Sequence, residues 1–313
     1  MRSWTKVVLA AALGAIALSA GVLVGCGDSG PTVTLSVSRE FDRVPMVERE
    51  EAPLEGHGTV LRLLREHADA KLSQFGSVSE VDGYAYRVER PNQRTWAINV
   101  NGIESDTYPA EYKLFPDDVV QLALRDWHVW LDVRATVGAF PETFSRGVFG
   151  RRFPVTVVCE RPGSRPCRQV RQALRRAGVD PDGGDPPGPR PAELLPQRAR
   201  ILVGRWEHWR ARARNVRMDE GPRYSGIFAR FSPDGRELRL LDWNAHRVRA
   251  AGPGTGLVGA QRPTEEDLLW LVTGTDDVGV ARAAAALDSP ELHDMFAAAI
   301  TADGPVALPL PPP

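Results

Sequence analysis

Three cysteines, Cys26, Cys159 and Cys167, carry the most distinctive chemistry in this sequence. A thiol can form a disulfide in an oxidising compartment, bind a metal or accept a covalent modification. The segment between the second and third cysteines contains proline and glycine, which is typical of a turn. If Cys26 is modified in an exported protein, the other two form an even pair, and we predict a disulfide between them. Metal binding is the alternative, but zinc sites usually need four ligands, and the nearest histidine is His128.

The sequence before Cys26 predicts export. Two basic residues near the start precede an uncharged, apolar run over residues 7–25, which is the order found in a secretory signal peptide. The tripeptide Leu-Val-Gly directly before the cysteine resembles a bacterial lipobox. We therefore predict a lipoprotein signal peptide over residues 1–25, lipidation of Cys26 and a polar tether over residues 26–31. An uncleaved transmembrane helix is the alternative, but the run has no aromatic anchor at its outer end.

Lipidation would place the protein on the extracytoplasmic face of the cell membrane. Two acyl chains anchor a protein stably where one does not, since each buried methylene contributes about 0.8 kcal/mol. A formal net charge of −1 argues against a nucleic-acid partner attracted by bulk charge. We expect the membrane as a partner through the lipid anchor, together with a small molecule or an envelope protein.

The familiar catalytic motifs are missing from the sequence. It has no His-Glu-x-x-His and no Gly-x-Ser-x-Gly, and His128, His208 and His246 have no visible partner along the chain. The glycine-rich segment 252–259 lacks the Lys-Ser/Thr ending of a phosphate loop, so a turn is favoured. Residues 274–277 lie between a predicted strand and a helix, where either a ligand site or simple helix capping would fit. We predict no catalytic or metal site and no enzymatic activity.

The candidate ligand-binding residues are aromatic. Trp96, Tyr84 and Tyr86 belong to a group that also includes Trp127 and Trp130, and such groups form either a core or a binding surface. Trp96 lies in a predicted strand that ends at a tight Asn-Gly turn. We therefore predict Trp96, Tyr84, Tyr86 and the turn residue Asn101 as ligand-binding positions. Whether Trp96 faces the core or the solvent stays open, because side chains alternate along a strand.

Hydrophobic periodicity predicts strands that alternate with helices, which suggests an α/β layer domain. Together with a strand–helix–strands pattern in the first part of the sequence, this predicts an α+β chain. Thr59 is a plausible N-cap for a helix that reaches Leu72. Predicted strands cover 32–41, 78–86, 95–100, 119–125, 129–136, 155–159, 200–204, 226–231, 237–242 and 268–273. Further helices are predicted over 168–177, around Trp206 and Trp209, over 278–287 and over 290–300. The last residues, 306–313, are predicted to form a Pro-rich tail that joins no core.

Residues 32–136 resemble the transcobalamin-like C-terminal domain family, whose fold is a β-grasp. The resemblance is carried by the Thr-Val-Leu-Arg-Leu-Leu segment at 59–64, the Trp-Ala-Ile-Asn-Val-Asn-Gly segment at 96–102 and the Asp-Asp-Val segment at 117–119. Asp117 stands where this family usually has glycine. The whole chain is similar to uncharacterised actinobacterial lipoproteins. The resemblance implies an N-terminal β-grasp domain followed by an α/β layer domain over 150–305, with cobalamin as one ligand to consider.

Three functions compete at this point. The first is an extracytoplasmic lipoprotein that binds a small molecule, such as a cobalamin-like cofactor, and exposed aromatic side chains in 32–136 would favour it. The second is a structural or protein-interaction module of the cell envelope, which an extended exposed apolar patch would favour. The third is an envelope hydrolase, which a buried acid paired with a histidine in a cleft would favour.

Overall fold

The computed structural model describes residues 30–56, 58–89, 93–126, 133–181, 198–213 and 216–313. The chain is α+β, with four sheets in these ranges. The strands of the first half are β1 (Thr32–Arg39), β2 (Val44–Pro53), β3 (Ala70–Leu72), β4 (Val78–Val81), β5 (Tyr84–Ala85), β6 (Arg94–Val100), β7 (Ile103–Glu104) and β8 (Val119–Asp126).

The second half contributes the remaining strands, β9 (Val155–Cys159), β10 (Arg198–Arg205), β11 (Ala229–Phe231), β12 (Leu238–Leu241), β13 (Arg247–Ala251), β14 (Gly256–Gln261), β15 (Asp267–Gly274), β16 (Ala297–Thr301) and β17 (Gly304–Leu308). The helices are α1 (Val60–His67), α2 (Glu142–Ser145), α3 (Arg165–Arg176), α4 (Trp206–Arg212), α5 (Pro222–Ser225) and α6 (Asp277–Ala286).

The first sheet has the strand order β2-β1-β8-β6-β7. Its central pair, β1 and β8, is parallel, and the outer pairs are antiparallel. Helix α1 begins as predicted, because the Thr59 hydroxyl accepts a hydrogen bond from the Arg62 amide. It ends at His67 rather than Leu72, because Ala70–Leu72 leaves the helix to form β3. The apolar face of α1 packs into the same core as β1, β6 and β8.

The second large sheet has the order β17-β16-β14-β15-β10-β9. Strands β9, β10 and β15 are parallel, and β15 is buried along its whole length, as expected for a strand covered on both faces. Strand β14 lies where the sequence suggests only a glycine turn. A Cβ at Gly256 would lie 2.4 Å from the Gly279 carbonyl oxygen, so the glycine permits α6 to approach this strand closely.

Two predictions near the C-terminus are wrong. Residues 290–300 do not form a helix: a single 3-10 turn over Pro290–Leu292 is followed by β16. Burial of the Ala-Ala-Ala-Ile run between β14 and β17 outweighs the helix propensity of alanine. The predicted tail over 306–313 instead contains the end of β17, and Leu308 and Leu310 are buried. The Leu310 amide also donates a 2.8 Å hydrogen bond to the Leu241 carbonyl.

The two predicted domains share one apolar core. Buried residues of the first sheet, of the connection 133–153 and of the second large sheet belong to a single cluster. In the connection, the rings of Phe140 and Phe144 lie 6.0 Å and 5.0 Å from the ring of Trp270 on β15. The first sheet also contacts the second half through Ser36 on β1 and Gln121 on β8, which both donate hydrogen bonds to Asp294.

Candidate functional site

Trp96 faces the core. Its side chain is buried, and its indole Nε1 donates a 2.9 Å hydrogen bond to the Tyr84 carbonyl oxygen. Trp96 belongs to the same core cluster as Val60 and Leu64 of α1. The structure thus resolves the alternative that the sequence leaves open, and the indole ring is not available as an exposed platform.

Asn101 is completely buried and fully hydrogen-bonded. Its Nδ2 donates to Asp118 Oδ1 (2.8 Å) and to the Gly147 carbonyl (2.9 Å), and its Oδ1 accepts from the Val119 amide (2.8 Å). Its φ of 52° is one that asparagine tolerates better than most residues, consistent with the predicted Asn-Gly turn. Burial raises the pKa of Asp118, against the lowering effect of its hydrogen bonds from the Phe115 amide and from Asn101 Nδ2. Asn101 therefore ties the turn to β8 and to the connection.

Tyr84 and Tyr86 are the predicted site residues that the structure leaves accessible. They are 36% and 41% exposed, and Val88, two residues further on, is 61% exposed. Alternate residues of an extended segment share one face, so the three side chains form a stripe, which we call the tyrosine stripe. The guanidinium of Arg39 lies over the Tyr84 ring, 4.0 Å from its centre. Trp127 and Trp130 lie outside the described residues, as do Cys26 and His128.

The β1–β2 turn has an unusual backbone. Glu40, Phe41 and Asp42 all have positive φ, at 54°, 56° and 65°, although none is glycine. Such residues cost on the order of 1–3 kcal/mol each and persist only where the surroundings hold them. Here Phe41 is buried in the second half of the chain, with its ring 5.2 Å from Phe228 and 5.3 Å from Phe296.

Two carboxylates meet where this turn contacts the second half. Gln121 Nε2 donates to Asp42 Oδ2 (2.7 Å) and to the Asp294 main-chain carbonyl (2.5 Å). Ser36 Oγ and Arg49 Nη1 both donate to Asp294 Oδ1, at 3.0 and 2.8 Å. Burial, with a smaller contribution from the nearby charge of Asp294, raises the pKa of Asp42 to about 8, against the lowering effect of its hydrogen bond from Ser38. The sequence gives no sign of this pair, because its members lie 252 positions apart in the printed sequence and only the fold joins them.

A second polar group lies at the carboxyl edge of the parallel strands, where α/β folds often bind ligands. Glu160 directly follows β9 and accepts hydrogen bonds from the main-chain amide (2.9 Å) and guanidinium (2.5 Å) of Arg205. Burial alone would raise the pKa of Glu160, but these hydrogen bonds outweigh it and hold the pKa below its usual value. Gly204 makes room for this carboxylate, since a Cβ there would lie 2.6 Å from the Glu160 Cβ.

His208 has no visible partner in the sequence, but in the structure it lies beside Glu160. The His208 Nδ1 lies 4.0 Å from Glu160 Oε1, which is too far for a hydrogen bond. Burial, together with the nearby Arg212, lowers the pKa of His208, so the imidazole is mainly neutral at pH 7. Both carboxylate oxygens are occupied by Arg205, and the group ties the end of β9 to the end of β10. The position of Glu160 directly after the apolar strand β9 is the signal that the sequence offers for this group.

The other groups considered from sequence have structural partners. Asp276 caps α6: its Oδ1 accepts from the Gly279 amide (2.8 Å) and its Oδ2 from the Gly254 amide (2.7 Å). The predicted disulfide is confirmed, with Cys159 and Cys167 joined at a Cα–Cα distance of 6.0 Å. Within the described ranges, no group of three or more His, Cys, Asp or Glu side chains could hold a metal ion. None of the helices in these ranges has both the length and the apolar character needed to cross a bilayer.

Comparisons with known proteins identify no family for this chain. No protein-family model matches the sequence, and no curated protein matches it. A crystal structure described as a "putative metal binding protein from Ruminococcus gnavus ATCC 29149" is 16% identical, with a TM-score of 0.26. The similarity covers 31% of this chain and 97% of that one. A TM-score this low carries no argument about fold or function.

Proposed function

We propose that the protein is a lipid-anchored, extracytoplasmic binding protein, and that the tyrosine stripe contacts its ligand. The observation that carries the proposal is the exposure of the Tyr84, Tyr86 and Val88 side chains beside the guanidinium of Arg39, which stacks on the Tyr84 ring. Exposed aromatic rings next to a cation suit a bulky, partly apolar small molecule, because they offer both stacking area and charge. The alternative is an envelope interaction module that binds no small molecule.

The topology of the first sheet supports a β-grasp assignment for residues 32–136. A hairpin of β1 and β2, a parallel pairing of β1 with β8, and one helix packed on the sheet are the features expected of that fold. The parallel strands β9, β10 and β15 with α3 and α6 likewise support an α/β layer arrangement over 150–305. The resemblance to transcobalamin-like domains makes a corrinoid the first ligand class to test.

The disulfide supports the extracytoplasmic part of the proposal, because such bonds persist mainly in oxidising compartments. Lipidation of Cys26 can be tested directly. We expect the protein purified from membranes to begin at Cys26 and to carry a diacylglyceryl group in intact-mass spectrometry, and the Cys26→Ser variant to retain residues 1–25. An intact, unmodified leader in the wild-type protein would contradict the anchor.

Ligand binding can be tested with cyanocobalamin and the Tyr84→Ala/Tyr86→Ala variant. We expect the wild-type protein to bind the corrinoid in isothermal titration calorimetry, and the double variant to bind it at least about fivefold more weakly. Loss of two stacking contacts of about 0.5–1.5 kcal/mol each gives this magnitude.

Tyr224→Ala is the matched control. Tyr224 is 48% exposed and lies under the Arg217 guanidinium at the same 4.0 Å distance, but in the second half of the chain. If cyanocobalamin binding is weakened equally in Tyr224→Ala, the effect is a nonspecific result of losing an exposed tyrosine. If the wild-type protein does not bind cyanocobalamin, the corrinoid is excluded and the interaction module becomes the leading function.

A further inference from the structure

Strand β13 is the outer strand of the small sheet β11-β12-β13. Residues 247–250 are exposed and Ala251 is partly buried. Its inner edge pairs with β12, and in the described part of the chain no other strand pairs with its outer edge. An outer edge of this kind presents main-chain N–H and C=O groups that can accept an additional strand.

The outer strands of the two large sheets are covered or blocked. Strand β7 is covered by the segment that follows residue 133, since the Glu104 amide donates a 3.0 Å hydrogen bond to the Arg134 carbonyl. On β17, Arg43 donates to the carbonyl oxygen of Ala307 (3.2 Å) and to that of Pro309 (3.1 Å), just beyond the strand. On β9, Arg171 donates a 2.9 Å hydrogen bond to the Val157 carbonyl.

Strand β2 is blocked in another way, because it contains Pro45 and Pro53 and its pairing with β1 has two register irregularities. Prolines and bulges of this kind prevent the pairing of sheet edges. Strand β13 contains no proline, and its pairing with β12 has a single register irregularity, at the Leu240–Leu241 step.

The charge around β13 is positive. Arg247 and Arg249 flank the exposed Val248, and Arg239 lies on the neighbouring strand. Glu237 accepts a 3.1 Å hydrogen bond from Arg239 and lies 3.9 Å from Arg247. Arg249 has no ion pair within the described residues. The single carboxylate of Glu237 therefore pairs with two of the three arginines, and the outer edge of β13 retains a net positive charge.

We infer that the outer edge of β13 binds an extended, acidic segment of a partner protein by strand addition. Main-chain hydrogen bonds from the edge would hold the segment, and its carboxylates would neutralise Arg247 and Arg249. A second copy of this chain is a poorer fit. Its acidic edge strand is β2, where Glu48 and Glu50 are exposed, and that edge is blocked by the features described above.

The test uses the full-length chain in detergent and three fluorescein-labelled eight-residue peptides. One alternates Glu with Val, one alternates Lys with Val, and one is the Glu-Val peptide N-methylated at alternate residues. We expect fluorescence anisotropy to show binding of the Glu-Val peptide. We expect affinity at least tenfold lower for the other two, because one has the wrong charge and the other lacks half of its N–H donors.

The Arg247→Glu/Arg249→Glu variant is expected to reverse the preference, binding the Lys-Val peptide at least tenfold more tightly than the Glu-Val peptide. Arg168→Glu/Arg175→Glu changes the net charge equally on the exposed face of α3 and should leave the preference unchanged. Equal binding of the N-methylated peptide would overturn strand addition, and an unchanged preference in the β13 variant would overturn the assigned edge. If the wild-type protein self-associates in sedimentation, the Arg247→Glu/Arg249→Glu variant does not, and the Glu-Val peptide does not bind, the edge belongs to a second copy and the proposal is overturned.

Discussion

Replacing Trp96 with alanine is expected to lower the free energy of unfolding by about 3–5 kcal/mol, the usual cost of truncating a buried tryptophan. The ring is buried in the core shared with α1, and the substitution also leaves the Tyr84 carbonyl without its indole donor. Because this core continues into the second half of the chain, we expect the whole protein to unfold at lower urea concentration in one transition. Circular dichroism and tryptophan fluorescence, followed together during urea unfolding, would measure this shift and show whether there is one transition.

Tyr86→Ala is the control for this experiment, because Tyr86 lies nearby but is exposed. Its expected effect on stability is within about 0.5 kcal/mol. A Trp96→Ala protein as stable as the control would show that the indole does not pack as described. It would also return Trp96 to the set of candidate ligand contacts.

Asp42 is expected to make the protein less stable as the pH rises from about 4 to about 8. In the unfolded chain the carboxyl loses its proton near pH 3.8, whereas the folded protein retains it until about pH 8. Between these values the unfolded state binds fewer protons, so the free energy of unfolding falls with increasing pH. One pKa unit corresponds to about 1.4 kcal/mol, so the difference between 3.8 and about 8 sets an upper limit of about 6 kcal/mol for the loss.

Asp42→Asn removes this titration. Urea midpoints measured at pH 5, 6, 7 and 8 should fall with pH in the wild-type protein and change much less in the variant. Asp303→Asn, at an exposed turn between β16 and β17, should keep the wild-type pH dependence. Parallel curves for wild type and Asp42→Asn would contradict the raised pKa of Asp42.

Local chemistry accounts for the parts of the fold that the sequence predicts well. The hydroxyl of Thr59 caps α1, Asn101 and Gly102 take up left-handed backbone at their turn, and Cys159 and Cys167 need only a short turn to meet. Each of these features depends on residues close together in the chain. The strong apolar runs of β9, β10 and β15 also lie within a few residues of their predicted bounds.

The predictions fail where contacts between residues far apart in the sequence determine the local structure. An Ala-Ala-Ala-Ile run has a preference for helix, but as β16 it is held between β14 and β17. The predicted tail is anchored by the burial of Leu310 and by hydrogen bonds from Arg43, neither of which has a local signature. For the same reason, strand alternation alone could not decide whether Trp96 faces α1 or the solvent.

The β1–β2 turn has a consequence for the kinetics of folding. Arg43 and its acceptor Pro309 are 266 residues apart, and Phe41 in the same turn packs against Phe296. Closing a flexible loop of that length costs about 5 kcal/mol of chain entropy, and contacts of such high sequence separation slow folding. The turn therefore reaches its strained conformation only once the strands that follow residue 290 are in place. We expect the β1–β2 turn to pack against the second half of the chain late in folding, after β1 and α1 have formed their local contacts.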